Sequence, residues 1–205
     1  NPLVKKLIRF EEVSANPKLS EARKGILLGR QEKIDRIVGF GGGSALDMAK
    51  AIAVGIGTGK DIEELFYSEK SLDTGSIPVI AMPTTAGTGS ELSKAAILSD
   101  EVRKVKSGLR GKALCPALAI VDSVFTESVP IKTTMETGFD VLAHAVESYV
   151  AKAASPYTRM QSEYAVHIVG KYLPRLSVDL QDTAAREKMS FASLLMGINL
   201  GHSGT

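Results

Sequence analysis

The stretch from Arg36 to Ala53, RIVGFGGGSALDMAKAIA, constrains the fold more than any other part of the chain. Ile37-Val38-Gly39-Phe40 is a short run of β-branched and aromatic residues, the pattern of a buried strand. Gly41, Gly42 and Gly43 follow, then Ser44. Beyond Ser44 the apolar residues Leu46, Ala49, Ile52, Ala53 and Ile56 recur at helical spacing. The order is strand, glycine turn, helix. Glycines let the backbone turn tightly and approach a ligand closely. The N–H groups at a helix start attract an anion, and a phosphate suits them best. Ser44 is the natural N-cap, and Asp47 stands in the first turn. The spacing matches neither the G-x-G-x-x-G nor the G-x-x-x-x-G-K-[ST] fingerprint. A turn without a ligand is the plain alternative. Three successive glycines cost backbone entropy on folding, which weighs against it.

The rest of the chain falls into two textures. Asn16-Pro17 predicts a helix start, with Asn as cap and Pro at the first position, and a helix to about Lys33. The first ten residues are ambiguous between a strand and a helix end. After a polar loop, Ile77 to Met82 is a second buried strand. Ala95 to Leu98 and Leu118 to Val121 are two more. Between the second and third strands lies PTTAGTGSE, Pro83 to Glu91, rich in glycine and hydroxyls. Strands alternating with helices and loops predict an open α/β sheet with ligand loops at the strand ends. From Pro130 onward only helices are expected. Thr133-x-x-Glu136 is a capping box for a helix to about Val150, Ser155-Pro156 starts another, and Thr183 opens a third. We therefore expect an α/β domain over residues 1–129 and an all-helical domain over 130–205.

Charge and cysteine content exclude several classes of function. The formal net charge of +2 is too small to argue for nucleic acid or an anionic membrane surface. The basic segment Arg103 to Lys112 has no interleaved aromatics and is read as a solvated loop, one of whose residues could meet an anionic ligand. A single cysteine, Cys115, excludes an intrachain disulfide and fits a reducing compartment. No signal peptide and no membrane-length apolar run is visible, so the cytoplasm is the expected location.

Asp140 and His144 stand at i and i+4 on the apolar helix segment FDVLAHAVESY, hence on one face. A carboxylate and an imidazole in such surroundings need partners. Two uses are open: an intrahelical Asp–His hydrogen bond, or two ligands of a divalent ion such as Zn²⁺ or iron. Two ligands are too few for a closed metal site, so the residues alone favour the hydrogen bond. Glu147, one turn on, is a supporting or solvated residue. His167 is expected to be partly exposed or at the edge of the core, and His202 in a glycine-rich loop. Cys115, before Pro116 and far from any histidine, is not expected to be a nucleophile.

Three motifs occur in order: GGGSALDMAK, PTTAGTGSE and TGFDVLAHAVESYV, with the basic Lys106 segment between the last two. With them the chain resembles the iron-containing (group III) alcohol dehydrogenases over nearly its whole length. The resemblance implies an α/β N-terminal dinucleotide-binding (Rossmann-like) domain followed by an all-helical metal-binding domain, with a cleft between them. It implies that Gly42, Gly43 and Ser44 meet the pyrophosphate of NAD or NADP, with Asp47 nearby. Thr84, Thr85 and Thr88 are implied at the nicotinamide and phosphate side, and Lys106 at the ribose. Asp140 and His144 match the family's first two ligands of Fe²⁺ (alternatively Zn²⁺), which turns the choice for that pair toward metal.

The expected reaction is reversible hydride transfer between a small primary alcohol or aldehyde and NAD(P), in a homodimer or larger homo-oligomer. Alternatives on the same scaffold are a dehydroquinate-synthase-like or glycerol-dehydrogenase-like enzyme, against which the PTTAGTGSE loop argues. A further alternative is an inactive fragment that retains nucleotide binding. The family has a strand–helix–strand unit ahead of the position of Asn1, and two further histidine ligands beyond the position of Thr205. His202 does not replace them, so the sequence reads as the middle of a longer enzyme. Ala95 stands where some members carry a polar residue.

Overall fold

A computed structural model describes residues 4–203 of the chain. In chain order its elements are α1 (Leu19–Gln31), β1 (Ile37–Gly41), α2 (Gly43–Thr58), α3 (Ile62–Phe66), β2 (Val79–Pro83), β3 (Ala95–Asp100) and β4 (Val105–Arg110). These are followed by β5 (Leu118–Ala119), α4 (Ile131–Val150), α5 (Pro156–Val178) and α6 (Thr183–Ser203). Short 3-10 turns at Lys112–Leu114 and Ser123–Thr126 flank β5. Residues 4–10 form neither strand nor helix.

Two sheets share one helix. β1, β2 and β5 form a parallel sheet in the order β1-β2-β5, with Gly41 level with Pro83. β3 and β4 form a separate antiparallel hairpin. Helix α2 lies between the sheets and is buried nearly all round, which is why its apolar residues are not confined to one stripe. Ala49 and Ala53 pack on Val79 of the parallel sheet. Met48, Ala51, Ile52 and Val54 pack instead toward α1, α3 and the hairpin, among Leu19, Ile26, Leu98 and Leu109. A second core joins α4, α5 and α6 through Val141, Ala165, Ile168, Met189 and Met196. The architecture is Rossmann-like α/β followed by helices.

Several local expectations change. β1 is covered on one face only: Val38 and Phe40 are more than half exposed, Phe40 meeting Phe125 edge-on at 5.3 Å. The basic segment at Arg103 to Lys112 is not a loop; most of it is strand β4. Pro17 does not open α1. Its carbonyl accepts from Ser99 N–H at 2.8 Å, so the chain stays extended through Lys18, and the helix begins at Leu19. Glu21 then closes a capping box on the Lys18 N–H at 3.1 Å. Thr133 is not a cap: Pro130 holds that position, and Thr133 lies in the first turn of α4. The polar loop after α2 contains the short helix α3, capped by the Asp61 carboxylate.

The β3–β4 hairpin is closed by Asp100. Its carboxylate accepts from Tyr67 Oη at 2.7 Å and from the N–H groups of Val102 at 2.8 Å and Arg103 at 2.9 Å. The Tyr67 hydrogen bond leads these interactions in holding the Asp100 carboxyl at about 2, below its ordinary 3.8. A depressed carboxylate pKa contributes stability that is fully present above the ordinary value and lost as pH falls through the folded one. Asp100→Asn is therefore expected to melt below the wild type at neutral pH, with the two melting temperatures converging between about pH 4 and about pH 2. Circular dichroism melts across that range check it; a constant gap down to the lowest pH would show that ionisation of Asp100 is not what stabilises the hairpin.

Candidate cofactor turn and metal-ligand pair

The carboxyl ends of β1 and β2 lie side by side, where ligands bind in open α/β sheets. Gly42, not Ser44, is the N-cap of α2, and Ser44 belongs to the first helical turn. The glycines allow the helix to start earlier than a serine cap would. Gly41 has φ +149°, a conformation that side chains disfavour. The first helical bonds run from the Ala45 and Leu46 N–H groups to the Gly42 carbonyl, at 3.0 and 3.2 Å. The Gly43 and Ser44 N–H groups have no hydrogen-bond acceptor among the described residues. They point out of the start of a sixteen-residue helix, an arrangement suited to an anion.

The PTTAGTGSE loop closes over this turn. Thr84 N–H donates to the Gly41 carbonyl at 2.9 Å. A Cβ on Gly42 would stand 3.5 Å from the Thr85 side chain, and one on Gly43 only 2.7 Å from Thr88 Cγ2. The structure thus brings Gly42, Gly43, Ser44, Thr84, Thr85 and Thr88 together, where the glycines leave the backbone uncovered by side chains of their own. These residues fit a dinucleotide pyrophosphate.

The other side of the loop packs on the helical part. A Cβ on Gly87 would lie 2.7 Å from Thr137 Cβ of α4, and one on Gly89 2.5 Å from Gly197 Cα of α6. Gly89 also has φ +62°, so only glycine meets both demands without strain. Thr137, Asp140 and His144 follow at i, i+3 and i+7 along one stripe of α4. Counted from the loop contact, Asp140 is about 4.5 Å and His144 about 10 Å along the helix axis. The stripe that carries both donors therefore begins at the PTTAGTGSE loop.

Asp140 Oδ1 and His144 Nε2 are 3.7 Å apart, an ion-pair distance beyond a hydrogen bond. The imidazole is mostly buried, and its Nδ1 is a buried atom without a hydrogen-bond partner. The nitrogen that faces the carboxylate, Nε2, is beyond hydrogen-bond distance and Nδ1 has no partner, so the two residues are a poor hydrogen-bonded pair. They are a suitable pair of donors for a divalent ion, and fit the metal to that extent. Among the described residues no cluster of three or more His, Cys, Asp or Glu side chains could hold an ion. Glu147 and His167 are exposed. His202, also exposed, lies in the last turn of α6 rather than in a loop, and Cys115 is exposed and free.

Two cofactor candidates have other partners. The Asp47 carboxylate accepts from Ser90 Oγ at 2.5 Å and from Ile97 N–H at 2.9 Å, and pairs with Lys50 Nζ at 3.0 Å. Lys106 Nζ donates to Asn16 Oδ1 at 2.7 Å, on the exposed side of β4. Sequence reasoning passed over Lys50, the largest fully buried side chain, and over Glu91. Burial lowers the Lys50 pKa, opposed by Asp47, and burial raises that of Glu91. The available signal was the i,i+3 Asp–Lys spacing inside an otherwise apolar helix.

Known proteins resemble this arrangement throughout. The chain matches the family model for iron-containing alcohol dehydrogenase over residues 4–123. It matches the C-terminal model of the same family over residues 134–205. It is 35% identical over 195 residues to the NAD-dependent methanol dehydrogenase of Bacillus methanolicus, covering 95% of this chain and 51% of that one. To the probable alcohol dehydrogenase EutG of Escherichia coli (strain K12) it is 40% identical over 175 residues, covering 85% and 44%. Among solved structures it superposes on sulfoacetaldehyde reductase from Bifidobacterium kashiwanohense in complex with NAD⁺ with a TM-score of 0.89 and 35% identity, covering 93% and 50%. It superposes on an archaeal halo-thermophilic alcohol dehydrogenase from a Red Sea brine pool with a TM-score of 0.92 and 31% identity, covering 97% and 51%. The chain spans about half the length of the relatives it matches. By the matched models and by these identities, the chain belongs to the iron-containing alcohol dehydrogenase family.

Proposed function

We propose that the chain serves metal-assisted, reversible hydride transfer between a small primary alcohol, or its aldehyde, and NAD or NADP. The observation that carries this reading is the packing of Gly87 on Thr137, which starts the Asp140–His144 stripe at the loop that closes the nucleotide turn. The N–H groups of Gly43 and Ser44 bind the pyrophosphate at the start of α2, with Gly42 leaving room for close approach. Thr85 and Thr88 face the turn and orient the cofactor; Lys106 is assigned to its ribose, and Asp47 stands near the phosphates with its carboxylate engaged by Ser90, Ile97 and Lys50. A bound nicotinamide would supply the hydride chemistry. Asp140 and His144 hold Fe²⁺ or Zn²⁺, the carboxylate offsetting part of the ion's charge. A divalent ion held there supplies Lewis acidity toward the substrate oxygen.

We assign residues 1–129 to the nucleotide part and 130–205 to the metal part. Their separate hydrophobic cores and the two family matches support this division. The cytoplasm is the proposed location; no described helix is long and apolar enough to cross a membrane. A homodimer or larger homo-oligomer is the proposed assembly, and light scattering at micromolar concentration is expected to give at least twice the chain mass. A monomeric mass would refute it.

The activity test is NAD(P)H formation from a panel of primary alcohols, with and without added Fe²⁺ or Zn²⁺. Metal-dependent formation is expected. A second reading is nucleotide binding without turnover. Cofactor binding with no reduction under any metal would establish that second reading over the first.

A further inference from the structure

Lys50 is the last helical residue that sequence patterning would place in a core, yet its side chain has no solvent exposure. Four oxygens surround its Nζ. It donates to the Ser90 carbonyl at 3.0 Å, to Ser93 Oγ at 3.0 Å and, closer still, to the Ala95 carbonyl. The Asp47 carboxylate lies 3.0 Å away. Three of these partners lie in the stretch from the end of the PTTAGTGSE loop, at Ser90, to the first residue of β3, Ala95. Asp47 holds the same segment from the other side, through Ser90 Oγ and the Ile97 N–H. Both residues sit in the first two turns of α2, the helix whose start forms the nucleotide turn. Buried ammonium groups are rare because desolvation is costly, and an apolar residue would fill the space at lower cost. What an apolar residue cannot do is fix several carbonyls and a hydroxyl at once.

We infer that Lys50 and Asp47 are positioning residues. They tie the end of the PTTAGTGSE loop to α2 and so hold Thr85 and Thr88 over the Gly42–Ser44 turn. The inference rests on the reading that this turn binds NAD(P). It gives Asp47 a role through the loop rather than through contact with the cofactor. The loop is held at three places: Thr84 N–H fixes its start to the Gly41 carbonyl, Gly87 and Gly89 pack its middle on α4 and α6, and Lys50 and Asp47 fix its end to α2.

The test uses Lys50→Met, which keeps all but the last atom of the side chain's length and removes its donors. Asp47→Asn, isosteric, loosens the same tie from the other partner and serves where Lys50→Met fails to fold. Val169→Ala, in the buried core of the helical part, is the control for general destabilisation. Two quantities are measured at a temperature where each variant is folded: hydrogen exchange of the amides from Thr84 to Ala95, and NAD⁺ affinity by calorimetry. The expected result is faster exchange across the loop and about fivefold weaker NAD⁺ binding in Lys50→Met or Asp47→Asn, with neither change in Val169→Ala. Unchanged loop exchange and NAD⁺ affinity in the folded variants would overturn the inference. The same holds if Val169→Ala weakens binding equally, since the effect would then be loss of stability. Wild-type protein that binds no NAD⁺ would instead overturn the cofactor reading, and the positioning role with it, while faster loop exchange alone would mark the tie as purely structural.

Discussion

Gly42→Val is expected to weaken NAD(P) binding tenfold or more in a protein that still folds. Gly42 has φ −73° and ψ −177°, an extended conformation that any residue adopts, so the backbone itself is not strained by a side chain. Its Cβ would rest at an ordinary 3.5 Å from Thr85. The neighbouring glycines are poorer probes. Gly41 has φ +149°, and a Cβ on Gly43 would press on Thr88 at 2.7 Å, so substitution there disturbs the loop as well as any ligand. At Gly42 the added methyl groups enter the space between turn and loop, where a pyrophosphate must approach the helix N–H groups. Tenfold corresponds to about 1.4 kcal/mol, the loss of a single good phosphate contact. NADH fluorescence titration gives the affinity, and a thermal melt verifies folding. A folded Gly42→Val protein with wild-type affinity would remove this turn from the cofactor site.

The strand–glycine–helix unit was legible because three signals agree there: a β-branched run, glycines, and helical periodicity. The three C-terminal helices were legible for the same reason, with Ser155-Pro156 giving a true cap and first-turn proline. Strand β4 was not. Val105, Lys106 and Ser107 are exposed and only Leu109 is buried, so Ser107 breaks the row it shares with Val105 and Leu109, and lysine and arginine fill the other face. Positive charge on an exposed strand is how sheets discourage further pairing, and in the sequence it looks like a solvated loop. The caps at Asn16, Ser44 and Thr133 failed for a common reason. In each case backbone geometry set elsewhere, by the contact of Pro17 with Ser99, by the glycines, or by Pro130, moved the helix start.

The candidate site was legible in its parts but not in its connections. Helical spacing alone places Asp140 beside His144. That Gly87 and Gly89 press on Thr137 and Gly197 depends on contacts far apart in sequence, which no local pattern encodes. The same is true of Lys50, whose partners lie some forty residues away. An i,i+3 Asp–Lys pair on a helix suggests a surface ion pair, and only the packing of α2 on all sides turns it into a buried tie.

His144→Ala is expected to abolish specific binding of Zn²⁺ or Fe²⁺ while leaving NAD(P) affinity unchanged. The imidazole is one of two donors on the α4 stripe, and removing it leaves a lone carboxylate that is 40% exposed and already well hydrated. A single such carboxylate holds a divalent ion no better than any surface aspartate. Asp140→Asn removes the only negative charge of the pair and is expected to act likewise. The turn proposed for the cofactor is built from β1, α2 and the PTTAGTGSE loop, and neither side chain contributes to it, so cofactor affinity serves as an internal control. Two donors bind loosely, so the measurement is an equilibrium titration with Zn²⁺ rather than metal retained after purification. His144 Nδ1 has no partner inside the protein, so its loss strands no donor and the variant should remain folded. Wild-type Zn²⁺ affinity in a folded His144→Ala protein would show that the Asp140–His144 pair is structural and that the ion, if one binds, sits elsewhere.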